Sequence, residues 1–125
     1  MNVTFRTDAS LTIGHGHVMR CLALAETLCE HGARVSFVCR EDDGHLCDRI
    51  EQRGFIVCRL SVSKPGTQVG DIPTFGTELE YPWEEDVDLT RAALDSLGEK
   101  PDWLVVDHYG LDTRWETALR PYAQR

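Results

Sequence analysis

Two separated stretches of this chain hold residue types suited to chemistry. The first, residues 5–28, reads FRTDASLTIGHGHVMRCLALAETL, with Gly14, His15, Gly16 and His17 leading into an amphipathic run. The second, residues 105–110, reads VVDHYG, an apolar run ending in Asp107, His108 and Tyr109. His17 falls at the expected start of a helix. Open backbone N–H groups and the helix dipole disfavour added positive charge there, which keeps an imidazole neutral. A neutral imidazole accepts a proton, so His17 is the candidate general base. A capping or packing histidine is the bland reading of the same position, and His15 reads as a loop residue, solvated or stacked. Asp107 could orient a histidine, bind a sugar hydroxyl, or tie its own loop together through backbone N–H groups. Tyr109 offers a hydroxyl able to position a water. His108 reads as a supporting or a surface group. Arg6 and Arg20 could balance a phosphate or carboxylate, and either could equally form a structural ion pair with Asp8.

Gly14 and Gly16 supply the first part of a dinucleotide fingerprint, but Met19 stands where its third glycine belongs. Glu41, just beyond the second strand, is only an approximate match for a ribose-binding acid. These departures argue against an NAD-type cofactor. The glycines also serve a tight strand-to-helix turn.

The elements that must position these residues alternate along the chain. Residues 2–7 form a β-type run. From His17 to His31 the apolar positions Val18, Cys21, Leu22, Ala25, Leu28 and Cys29 make one helical stripe, and Gly32 sits where a left-handed cap belongs. A second strand covers 34–39, a second helix about 44–53 ending at Gly54, and a third strand 55–60. Residues 61–82, with prolines, glycines and little periodicity, predict a long loop. A helix from Trp83 to Leu97 follows, with Val87, Leu94 and Leu97 facing the core. Residues 103–107, WLVVD, predict a central strand buried on both faces, and Asp112 caps a last helix running to about Ala123. This order predicts an α/β, Rossmann-like, three-layer domain with right-handed crossovers and a parallel sheet in order 3-2-1-4. Ligands bind at the carboxyl ends of such strands, near the switch in order. The loops after strands one and four, 8–17 and 107–110, therefore face one another across a crevice.

Length fits one domain, and 42% hydrophobic with 27% charged residues is globular composition. A net charge of −8 argues against nucleic acid or an anionic membrane as partner. No signal peptide or apolar span is present in the sequence. Five cysteines without CxxC spacing read as reduced thiols in a cytoplasmic protein and not as a zinc site or disulfide framework. A four-strand half-sheet ending just past a helix predicts a piece of a longer protein, with a neighbouring strand missing and a sheet edge uncovered.

The motifs FRTDAS…IGHGHVMRCLALA and VVDHYG resemble the N-terminal domain of the pseudaminic acid pathway hydrolases, which act on UDP-2,4-diacetamido-2,4,6-trideoxy-β-L-altropyranose in the route to flagellin glycosylation. The resemblance covers most of the chain and is most specific over residues 5–25 and 105–110. It implies the N-terminal half of a GT-B, MurG-like fold and a small-molecule UDP-sugar substrate. It also implies water attack at the anomeric carbon with no metal or cofactor. On it, His17 is the general base and Tyr109 positions the water. The resemblance further implies that the UDP site lies mainly in a C-terminal domain outside these 125 residues, and that the chain alone is expected to be inactive. The residues fit that chemistry: a terminal phosphate with a second pKa of about 6 leaves readily, so a dedicated acid is less needed than in ordinary glycoside hydrolysis. The candidate site is thus His17 and Tyr109 for catalysis, with Arg6, Asp8, Gly14, Gly16, Arg20, Asp107 and His108 for substrate binding. A GT-B glycosyltransferase, with the same base acting on a sugar hydroxyl, and a non-catalytic nucleotide-sugar binding module are the alternatives.

Overall fold

The computed structural model describes residues 1–9, 14–41, 44–60, 83–98, 100–108 and 110–124. Strands β1 (Asn2–Thr7), β2 (Arg34–Arg40), β3 (Ile56–Leu60) and β4 (Trp103–Asp107) alternate with helices α1 (Gly16–Glu30), α2 (Cys47–Gln52), α3 (Trp83–Ser96) and α4 (Thr113–Leu119). The strands form one parallel sheet in the order β3-β2-β1-β4, as the alternation predicts. The fold is Rossmann-like α/β. No helix among the described residues is long and apolar enough to cross a membrane.

The pleat sends alternate residues of each strand to opposite faces. Val3 and Phe5 of β1 and Val35, Phe37 and Cys39 of β2 pack against Val18, Cys21, Leu22 and Ala25 of α1 and against Cys47 and Ile50 of α2. Phe5 and Phe37 are register partners, and their rings stack at 5.1 Å. On the other face, Val38 and Leu60 meet Ala93 of α3, while Leu104 and Val106 pack beside Trp115 and Leu119 of α4. Helix α1 ends as its sequence predicts. Gly32 adopts φ +89, which only glycine takes at little cost, and the Ala33 N–H closes the last turn on the Leu28 carbonyl at 3.1 Å. Asp112 caps α4 by accepting from the Arg114 N–H at 3.0 Å.

Two expectations need correction. Helix α2 begins at Cys47 and not at 44, because Gly44 has φ +87, outside the helical region. The run WLVVD is not central: β4 pairs only with β1 among the described strands, and Trp103 is 42% exposed. Strand β1, NVTFRT, is buried on both faces, with Thr4, Arg6 and Thr7 as buried as Val3 and Phe5, and so is β2 from Phe37 to Arg40. The 61–82 loop expectation lies outside the described residues.

Candidate active site

Strands β1 and β4 are neighbours with Thr7 beside Asp107, so the loops that follow them meet at the switch in strand order. Helix α1 starts at this point. His17, Arg20 and Cys21, spaced i, i+3 and i+4, share one helical face. All three reach Asp107. His17 Nδ1 lies 2.6 Å from Asp107 Oδ1. Arg20 grips both carboxylate oxygens, Nε to Oδ2 at 2.9 Å and Nη2 to Oδ1 at 2.8 Å. The Cys21 thiol lies 3.8 Å from Oδ2.

This geometry sets the His17 tautomer. Arg20 Nη2 also lies 3.3 Å from His17 Nδ1, but guanidinium and carboxylate make opposite demands on that nitrogen. The carboxylate contact is much the shorter, and an ionised carboxylate only accepts. Nδ1 therefore carries the proton and donates to Asp107, and the lone pair is on Nε2. The ring is mostly enclosed, with 12% of its side chain exposed.

Burial by itself pushes the Asp107 carboxyl up, but hydrogen bonds from Arg20 and His17 outweigh it and hold the group below the usual carboxylate range. Asp107 is thus an anion in place to hold the imidazole. Cys21 is the reverse case: burial first, then the Asp107 charge, push its thiol up to about 12. A thiol held so far from ionisation is not a nucleophile at neutral pH.

The remaining predicted residues divide sharply. Gly14 has φ +85, a backbone that favours glycine, whereas Gly16 has no such backbone, and a Cβ there would meet nothing within 4 Å. Arg6 and Asp8 are fully buried and form the ion pair with each other that was the structural reading of these residues. Arg20, 62% exposed in its side chain, pairs with Asp107 and not with Asp8. His108 is also enclosed, and both its ring nitrogens are engaged within the protein. His15 reaches the Gly44 carbonyl at 3.1 Å, and Glu41 accepts from Arg59 at 3.2 Å. Tyr109 lies outside the described residues.

Sequence reasoning missed the group behind the site. Arg6 Nη1 meets Asp8 Oδ1 at 2.6 Å, and its Nε meets Asp86 Oδ1 at 3.1 Å; Nη2 binds Asp86 Oδ2 as well. Asp86 also accepts from Trp115 Nε1 at 2.9 Å and Thr90 Oγ1 at 3.0 Å, with Arg40 Nε at 3.4 Å. For Asp8, burial acts upward, and the Arg6 charge with hydrogen bonds from His108 and Arg6 overturns it, so the carboxyl lies far below the usual range. Asp86 is likewise lowered, burial being outweighed by Arg6. The available signal was the stripe Trp83, Asp86, Thr90, Ala93, Leu94, Leu97 along α3, in which Asp86 occupies a core position.

A cleft of about 430 Å³, lined by Asn2, Thr4, Arg34, Ser36, Ile56 and Leu97 among others, opens at the opposite end of the strands, away from this chemistry. No metal-holding cluster of His, Cys, Asp or Glu occurs among the described residues. No protein-family model and no curated protein matches this chain.

Proposed function

We propose that this domain supplies the general base of a nucleotide-sugar hydrolase, with His17 activating water. One observation carries the reading: the 2.6 Å contact from Nδ1 to Asp107 at the carboxyl end of β4, which leaves the lone pair on Nε2. Nε2 takes a proton from water as the water oxygen bonds to the anomeric carbon. The bond from that carbon to the diphosphate oxygen breaks, and UDP departs with the electron pair. A single displacement of this kind inverts the anomeric centre. Asp107 stabilises the imidazolium as it forms, as a carboxylate does in other His–Asp pairs. The resemblance of IGHGH and DHYG to the pseudaminic acid pathway hydrolases supports a UDP-2,4-diacetamido-2,4,6-trideoxy sugar as substrate. It also supports a role for Tyr109 in holding the water and a second, UDP-binding domain beyond these residues.

The test is UDP release from that sugar nucleotide by the full-length protein with no acceptor sugar present. Release is expected, with a loss of ~100-fold or more in His17→Ala while the nucleotide still binds. Release only on adding an acceptor would instead identify a glycosyltransferase. Binding without turnover, unchanged by His17→Ala, would identify a binding module.

A further inference from the structure

We infer that His108 is a positioning residue of this site, its ring holding the turn after β4 so that the Asp107 carboxylate is aimed at His17. The inference rests on the reading of His17 and Asp107 as the working pair. Consecutive residues at a strand end face opposite sides. Asp107 meets α1, whereas His108 turns to the buried ionic group on the other side of the sheet. The Gly110 N–H donates to His108 Nδ1 at 3.0 Å, so that nitrogen bears the lone pair. Nε2 then carries the proton, which it donates to Asp8 Oδ2 at 3.1 Å. The ring thus bridges a backbone N–H two residues ahead and a carboxylate that is itself immobilised.

Asp8 is held by Arg6 and by the Arg40 backbone N–H at 2.9 Å, while Arg6 is clasped from α3 by Asp86. Asp86 in turn takes the Trp115 N–H of α4. Orientation passes from both helices to the ring through directional, charge-assisted bonds. On the near side, Thr7 Oγ1 donates to the Asp107 carbonyl at 3.1 Å and pins the same turn to β1. Apolar residues of equal volume would often stabilise a core as well as a buried ion group does. They would not fix the rotation of the His108 ring. Neighbouring histidines at one crevice therefore hold opposite tautomers: Nδ1–H in His17, Nε2–H in His108.

The experiment is nitrogen-15 NMR of the histidine rings of the 125-residue chain at about pH 9, above the ordinary imidazole range. In the unaltered protein, His108 is expected protonated on Nε2 and His17 on Nδ1. His108→Ala is expected to shift His17 towards a tautomer mixture. His108→Asn, whose amide oxygen can still accept from the Gly110 N–H, is expected to restore the Nδ1–H form. A purely structural His108 would lower the melting temperature of the Ala variant and leave His17 unchanged. A folded His108→Ala with His17 still Nδ1–H overturns the inference, and so does a wild-type His108 protonated on Nδ1. If the Ala variant does not fold, the wild-type tautomers and the Asn variant decide. These spectra need no substrate, so a failure to release UDP would count against the proposed activity alone. Where hydrolysis is observed, His108→Ala should lower kcat by about tenfold or more with little change in KM.

Discussion

The two faces of the sheet are closed differently, although one strand feeds both: one by an apolar core, the other by apolar clusters with a buried ionic group beside them. Towards α1 and α2, β1 offers Val3 and Phe5 to an apolar core of stacked rings and branched side chains. Towards α3 and α4 it offers Thr4 and Arg6, and Arg6 is wrapped by Asp8 and Asp86. Apolar packing is set by volume and tolerates exchange of shape. A buried ion group is set by direction and by partners, and it fails when one partner goes. The candidate site sits where the two meet: His17 rides on the helix of the tolerant face, and His108, next to Asp107, is tied to the intolerant one.

The largest expected effect comes from removing a partner. Asp86→Ala takes one of the two carboxylates from Arg6 and the acceptor from the Trp115 N–H, and should cost about 3–5 kcal/mol in denaturant unfolding. The comparison is sharpest with shape held constant. Leu22→Met on the apolar face should cost under ~1.5 kcal/mol. Asp86→Asn, equally close in shape, should cost clearly more, because Arg6 keeps Asp8 but loses its second counter-ion. Equal costs for these two variants would break the contrast between the faces.

Acid separates the faces next. Asp8 and Asp86 both lie below the ordinary carboxylate range in the folded protein. Unfolded Asp titrates near pH ~3.9, so their stabilising contribution is fully present above that pH and is lost as pH falls through the lower folded values. Unfolding midpoints measured from pH 6 down to 2 should fall steeply below about pH 4. Leu22→Met should keep that slope, and Asp86→Asn should flatten it. Trp115→Phe is a smaller perturbation: it keeps most of the ring packing and deletes the 2.9 Å bond to Asp86, at a cost of about 1–3 kcal/mol. A neutral result would mean that the indole N–H contributes nothing to the ionic group.

The apolar face was the legible one. Helix α1, its glycine cap and the order 3-2-1-4 follow from periodicity and from the alternation of elements, which report directly on burial. The meeting of His17 with Asp107, 90 residues apart, followed from the rule for loops at a switch in strand order. The ionic face was not legible. Asp86 lies in the acidic opening of α3, Trp83-Glu84-Glu85-Asp86, where carboxylates ordinarily face water and favour the helix dipole. Arg6 and its Asp86 partner are 80 residues apart, and nothing in either neighbourhood marks them as a pair. WLVVD misled for a related reason: an apolar run reports burial on its packed side but not position within the sheet. Trp103 at its start remains well exposed.

The smallest effect probes the seam between the faces. Cys21 packs with the α1 core, yet its thiol lies 3.8 Å from the Asp107 carboxylate. With the thiol pushed up to about 12, the thiolate fraction at pH 8 is about a thousandfold below that of a cysteine of ordinary acidity. Time-resolved alkylation of the native chain should therefore label exposed Cys29 early and buried Cys21 much later. Asp107→Asn removes the second cause of the shift and leaves burial, the larger one, so labelling of Cys21 should quicken only modestly. Cys21 reacting as fast as Cys29 would mean that α1 stands away from the end of β4. The contact between His17 and Asp107, made by the same helical face, would then not hold in solution.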